Sequence, residues 1–256
     1  MKKQTIVLLL IAFTFSLSCQ FLLPSQSGAV ISNCAEIVSA VAQMQSQDIP
    51  DHLLETGTKR GDEFDPNQYF DVLTHLSLRA GYVIDYVYQS DDLGGYPLLY
   101  ARPTEQAGYA SPADIPNNTE LPEFQGYLEV DDTEQGYFEY VVLDIMANQF
   151  YLYWHANYND FEIVCNQDEV DDIVTEVSFG DFGIAMDPVQ QARARALQNI
   201  EPTVSLNGEV AVVRFLTFTR WGGFYRETYT IRRGFPHTIL DEKQDNVVPY
   251  DCGVAF

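Results

Sequence analysis

The chain has 256 residues, 46% of them hydrophobic and 20% charged, so it can bury a sizeable core and is not globally disordered. Its formal net charge of -23 at pH 7 repels phosphate backbones and anionic headgroups, which excludes nucleic acid as a natural partner.

The first residues read as an address. Lys2 and Lys3 precede an apolar run over residues 6–15, too short for the roughly 20 apolar residues a spanning helix needs. Phe15-Ser16-Leu17-Ser18-Cys19 follows. It resembles the lipobox of bacterial lipoprotein precursors, with Ser16 where that family usually has leucine. The resemblance implies cleavage after Ser18, acylation of Cys19 and a place in the bacterial cell envelope outside the cytoplasm. Ordinary signal-peptide cleavage at Ser18 or near Ala29 is the alternative and gives the same side of the membrane. The expected division is a signal peptide over 1–18, a tether over 19–33 and one α+β domain over 34–256.

Asn33 with Glu36 three residues on predicts a short helix to about Gln45. Residues 49–63 are polar and irregular. Asp65, Pro66 and Gln68 form the next start signal, and Tyr69, Val72, Leu73 and Leu76 recur at helical spacing, so a helix running toward Gly81 is expected. Residues 82–89 and 96–102 flank Asp91-Asp92-Leu93-Gly94-Gly95 as a hairpin. Residues 103–126 carry four prolines and no period, a long excursion of the kind that is often functional or mobile.

Thr133 or Glu134 opens a helix whose Phe138, Val141, Val142, Ile145 and Met146 mark it as a main core contributor. Residues 150–154 predict a strand, with Phe150, Leu152 and Trp154 facing the core and Tyr151, Tyr153 and His155 facing away. Asn166 with Glu169, and Asp187-Pro188-Val189-Gln190, start two further helices. Asn207-Gly208 predicts a tight hairpin turn. Two long β runs joined at Trp221-Gly222-Gly223, and a third over residues 237–241, predict a C-terminal antiparallel meander. Helices interleave with strand pairs on short turns, which favours an α+β fold: an antiparallel sheet with helices packed mainly on one face.

With Cys19 acylated, Cys34, Cys165 and Cys252 remain, and an oxidising compartment favours one bridge. The expected pair is Cys165–Cys252, because Cys165 ends a strand and Cys252 lies in a terminal segment that needs fastening. There is no Cys-x-x-Cys or Cys/His cluster, so neither zinc nor another cofactor is implied. Asp131-Asp132-Thr133-Glu134 starts like a calcium loop, but Val142 stands where a bidentate Glu is required. Asp181-Phe182-Gly183 matches a kinase tripeptide without any other kinase signature. Arg214 shares parity with Val210, Val212, Leu216 and Phe218, which calls for an internal carboxylate or a bound anion.

The leading functional expectation is a non-enzymatic binding or envelope-interaction protein attached to the membrane by its lipid. Its expected contact surface is Tyr151, Tyr153, His155, Arg220 and Trp221, residue types that concentrate binding energy. The competing reading is that residues 103–126 fold over Tyr151, Tyr153 and His155 and bury them. A hydrolase using His155 and Asp160 is the alternative from another class, since a His beside a carboxylate is the minimum for general-base work. A structural role in an envelope complex is the third.

Overall fold

The structure is a computed structural model and describes residues 28–255. The expected signal peptide, Cys19 and most of the tether lie outside the described residues. The elements run β1 (Ala29–Val30), α1 (Cys34–Gln45), α2 (Asp51–Thr56), β2 (Leu76–Leu78), β3 (Tyr82–Asp91), β4 (Gly94–Pro103), β5 (Leu128–Val130), α3 (Glu134–Met146) and β6 (Tyr153–Trp154). They continue with β7 (Glu162–Val164), α4 (Gln167–Ser178), α5 (Pro188–Arg195), β8 (Thr203–Asn207), β9 (Val210–Thr219), β10 (Gly223–Arg232) and β11 (Ile239–Pro249). The fold is α+β, its sheets are antiparallel and it ends in the β9–β10–β11 meander. The main sheet has the order β1-β8-β9-β10-β11, with β7 also pairing β9; β3, β4 and β6 form a second sheet, and β2 pairs β5.

Strand β9 organises two layers of core. Its Ala211, Val213 and Phe215 join the cluster built around α3, whose residues from Gly136 to Leu143 are all buried. Leu216 and Phe218, of the opposite parity, pack with Val170, Val174 and Val177 of α4 and with Phe224 of β10. Residues 215–219 are therefore buried without interruption, which is why alternation fades there. Before that point the second face is open. Arg214 is exposed, so it needs no internal carboxylate, and the burial expected from its parity is corrected.

Local capping chemistry sets most helix starts. The Thr133 hydroxyl accepts from the Gly136 N–H at 3.0 Å, Asn166 accepts from Glu169 N–H, and Asp187 and Gln190 form a reciprocal capping box. Asp65 also caps, accepting from the Asn67 N–H at 2.9 Å, but only a 3-10 turn over Pro66–Asp71 follows. The expected longer helix is cut short by tertiary partners. The His75 N–H donates to the buried Glu139 carboxylate at 2.8 Å, and Leu76 pairs with Val130 as a strand. Two other segments differ from expectation: Asp51–Thr56, read as irregular, is helical, and the third meander strand extends to Pro249.

The disulfide joins Cys34 to Cys165, with Cα atoms 5.5 Å apart, and Cys252 is a buried free thiol. The expected Cys165–Cys252 pair is thus corrected. The C-terminal segment is fastened by its main chain instead: the Cys252 N–H donates to the Arg220 carbonyl at 2.9 Å, and its carbonyl accepts from the Ile184 N–H at 2.6 Å. The bond clamps the first turn of α1 to the end of β7.

Candidate functional site

The segment after α3 changes direction twice. Phe150 and Tyr151 go inward: Phe150 meets Phe64 at 4.8 Å between ring centroids, and the Tyr151 hydroxyl accepts from the Phe64 N–H at 3.0 Å. Tyr151 and Trp154 both have positive φ, 54° and 53°. These two turns replace the expected five-residue strand by the two residues of β6, which pair with Gly94 and Gly95 of β4. Both glycines are required by close approach. A Cβ on Gly95 would stand 2.3 Å from the Tyr88 hydroxyl, and one on Gly94 would stand 2.6 Å from the Tyr153 carbonyl. The His155 N–H donates to Leu93 in the same turn at 3.1 Å, and a 3-10 turn over His155–Tyr158 follows.

The consequence for the expected surface is a change of membership. Tyr151 is only 4% exposed and is withdrawn from it, whereas Tyr153 is 43% exposed and Trp154, expected in the core, is 47% exposed. What buries Tyr151 is the segment around Phe64 and Tyr88; residues 103–126 instead fasten to β4 and to the loop after α2, through Tyr109 N–H on the Tyr100 hydroxyl and Lys59 N–H on the Ala110 carbonyl.

A ribbon of ring contacts follows, in which Tyr153, Trp154, Tyr158 and Phe182 are exposed while Trp221 is part-buried against the second core cluster, its indole N–H donating to the Val254 carbonyl at 2.7 Å. Tyr153 meets Trp154 at 6.4 Å, Trp154 stacks on His155 at 6.0 Å and His155 lies 5.9 Å from Tyr158. Tyr158 then meets Trp221 edge to face at 4.8 Å, and Trp221 meets Phe182 at 6.1 Å. The Arg220 guanidinium closes the run, 5.2 Å from the Phe182 ring centroid. The structure therefore brings Tyr153, His155, Arg220 and Trp221 together. Trp154, Tyr158 and Phe182 were missed. Alternation assigned Trp154 inward, and Phe182 was visible only as part of a tripeptide with the wrong context.

Arg220 is fixed from both sides. Its Nη2 donates to Glu176 of α4 at 2.5 Å, and its main-chain N–H donates to Asp160 at 2.9 Å. Desolvation lowers the Arg220 pKa and Glu176 more than restores it, so the net shift is upward. Asp160 also accepts from the Thr219 hydroxyl, and burial pushes its carboxyl up. Both Asp160 oxygens thus serve the β9–β10 turn, and His155 sits between the Trp154 and Tyr158 rings instead of against a carboxylate. Among the described residues no hydrogen bond joins His155 to Asp160.

The remaining acidic motifs are occupied by protein. Asp131 accepts from Thr133 and pairs with His75 at 2.6 Å, while Asp132 holds Arg233 through bonds of 2.8 and 2.7 Å. Among the described residues, one group of three potential metal donors converges, His52, Asp62 and Glu63. Glu63 is already engaged by the Arg60 and Gly61 N–H groups and by His52 at 2.6 Å. Burial raises its pKa, but those bonds outweigh it and hold the carboxyl at about 2. This is a loop clasp. No family model matches the chain, and no curated protein or solved structure is significantly similar to it, so the reading of the ribbon stands on its geometry alone.

Proposed function

We propose that this chain is a binding protein of the bacterial cell envelope, held at the membrane by acyl chains on Cys19, that engages a protein partner through the aromatic ribbon. The observation that carries the reading is the run of ring contacts from Tyr153 to Phe182, with Arg220 at its end, whose Tyr153, Trp154, Tyr158 and Phe182 are exposed and are bridged by the part-buried Trp221. Contiguous exposed apolar surface marks interaction sites, and Tyr, Trp and Arg supply large contact area with polar tips. The exposed Leu93, Tyr96 and Leu98 of the β3–β4 hairpin add apolar area to the strand that carries β6. The Cys34–Cys165 bond supports an oxidising compartment. No helix of the described residues is long and apolar enough to cross a membrane, so in this reading attachment rests on the lipid.

The test is in-cell photo-crosslinking with p-benzoylphenylalanine at position 154, with the same probe at the exposed Glu55 of α2 as control. The expected result is one defined adduct from position 154 only, reduced about tenfold by Tyr158→Ala. In a Cys19→Ala background the protein should leave the membrane fraction. A position-154 pattern identical to that of the Glu55 probe would remove the ribbon from the reading, and unchanged fractionation would remove the anchor.

A further inference from the structure

A concavity lies on the other side of Arg220, between α1, β7 and α4. We propose that it binds a small organic cation with an apolar body. The argument is independent of the ribbon and begins with shape. The cavity measures about 560 Å3, inside the range of about 300–1,000 Å3 typical of small-molecule sites. The exposed face of α1 supplies small side chains at Ala35, Ser39 and Ala42, which leaves the space open. The Cys34–Cys165 bond ties α1 to β7 next to Ala35, so the walls are held before any ligand arrives.

The lining has two chemistries. Val38, Met146, Phe161, Ile163 and Ile173 make it apolar. Among the described residues its ionisable members are all acidic: Glu162 from β7 and Glu169, Asp172 and Glu176 from α4, with no Lys or Arg. Positions 169, 172 and 176 share one face of α4 by helical spacing. These acids are not equivalent. Glu169 accepts from the Cys165 N–H at 2.7 Å and from Asn166 at 3.0 Å, and Glu176 holds Arg220. Among the described residues, no side-chain hydrogen bond reaches Glu162 or Asp172, which leaves two carboxylates available to a ligand.

Charge complementarity selects the occupant. An anion would meet four carboxylates. An uncharged apolar ligand would strip water from Glu162 and Asp172 without giving them a partner, which is costly for a charge. A divalent metal needs converging oxygens, and these acids do not form such a group; the one that does among the described residues is His52, Asp62 and Glu63. An ammonium group with a hydrocarbon body satisfies both chemistries, and the volume suits a small molecule better than a helix.

Glu162 adds a pH dependence. Removal of water by the surrounding wall pushes its carboxyl up to about 7, assisted by Asp160, Glu176 and Glu169 and opposed by Arg220, even though part of the side chain remains open to solvent. The α1 wall contributes no titratable group to the cavity. Glu162 therefore ionises across neutrality, and a cation binds better above pH 7 than below it.

The test is isothermal titration calorimetry on the oxidised chain at 0.15 M salt with hexylamine, spermidine and hexanoate. Hexylamine should bind, hexanoate should not, and spermidine, which lacks the apolar body, should bind at least tenfold more weakly than hexylamine. Glu162→Gln and Asp172→Asn should each weaken hexylamine at least fivefold with no fall in melting temperature, and Glu162→Gln should raise it, since a carboxyl whose pKa is pushed up on folding costs stability once ionised. Affinity should rise severalfold from pH 6 to pH 8 in the parent and stay flat in Glu162→Gln. Absence of amine binding at millimolar concentration would overturn the proposal, as would a Glu162→Gln/Asp172→Asn protein that binds unchanged. Spermidine matching hexylamine would reduce the site to general attraction by an acidic surface. A basic amphipathic peptide that binds where hexylamine does not would assign the cavity to a protein partner instead.

Discussion

Phe150 and Tyr151 differ from Tyr153 and Trp154 in almost everything except residue type. The inner pair is buried with Phe64, Tyr69 and Tyr86 in edge-to-face contacts near 5 Å, and the Tyr69, Tyr88 and Tyr151 hydroxyls bond to protein, whereas the buried Tyr86 hydroxyl has no partner among the described residues. Tyr69 donates to the Ala147 carbonyl at 3.0 Å and Tyr88 to the Tyr151 carbonyl at 2.7 Å. The outer pair leaves the core within three residues and begins a surface run of rings. Aromatic content does not separate the two sets. The backbone does, through two left-handed residues that a strand reading does not allow. Non-glycine residues held in that region store strain of about 1–3 kcal/mol each, and such strain gathers where a surface must be presented in one fixed way.

The largest expected effect tests whether the inner set depends on a clamp that the outer set does not share. Replacing Cys34 and Cys165 together by serine opens a loop of 131 residues, which in the chain-entropy picture lowers stability by about 5 kcal/mol. Both tryptophans of the chain, Trp154 and Trp221, lie in the ribbon, so native emission reports the ribbon and, through Trp221, the second core cluster beneath it, which the clamp does not join. Urea denaturation followed by far-UV circular dichroism should show the loss, with the native emission maximum unchanged. A shifted native maximum would mean that the clamp shapes the ribbon too.

A smaller effect compares the sets directly. Phe150→Ala should lower stability by about 3–5 kcal/mol, because it empties a packed site. Tyr153→Ala, at a residue 43% exposed, should stay within about 0.5 kcal/mol. Equal losses in thermal unfolding would show that the ribbon is a second layer of core.

How far the sequence discloses this molecule depends on the range over which each signal acts. Thr133, Asn166 and Asp187 bond to N–H groups two or three residues away, and those helix starts are legible. The meander is legible for the same reason, since its strands pair across short turns. Asp65 carries the same local signal, yet the helix is lost to Glu139 and Val130, more than 50 residues distant, which no window of spacing contains. The disulfide fails likewise: Cys34 and Cys165 are brought together by the packing of α1 beside β7. At the candidate site Tyr153, His155, Arg220 and Trp221 were legible from residue type, whereas Trp154 was hidden by the two positive-φ turns.

Those turns supply the smallest test. Trp154 holds φ 53° and ψ -120°, a region where a Cβ collides with the neighbouring backbone and glycine does not. Trp154→Ala and Trp154→Gly remove the same indole, so the difference between them isolates the backbone. Relief of strain worth about 1–3 kcal/mol should exceed the roughly 0.5–1 kcal/mol that glycine loses through its freer unfolded chain. The glycine variant should therefore be more stable than the alanine variant by about 1 kcal/mol, a shift of about 2–4 °C in melting temperature for a chain of this size. An alanine variant that is the more stable would mean that the segment relaxes once the indole is gone. In that case the ring itself, through its stacking on His155 and its contact with Tyr153, would be what holds β6 in its turn.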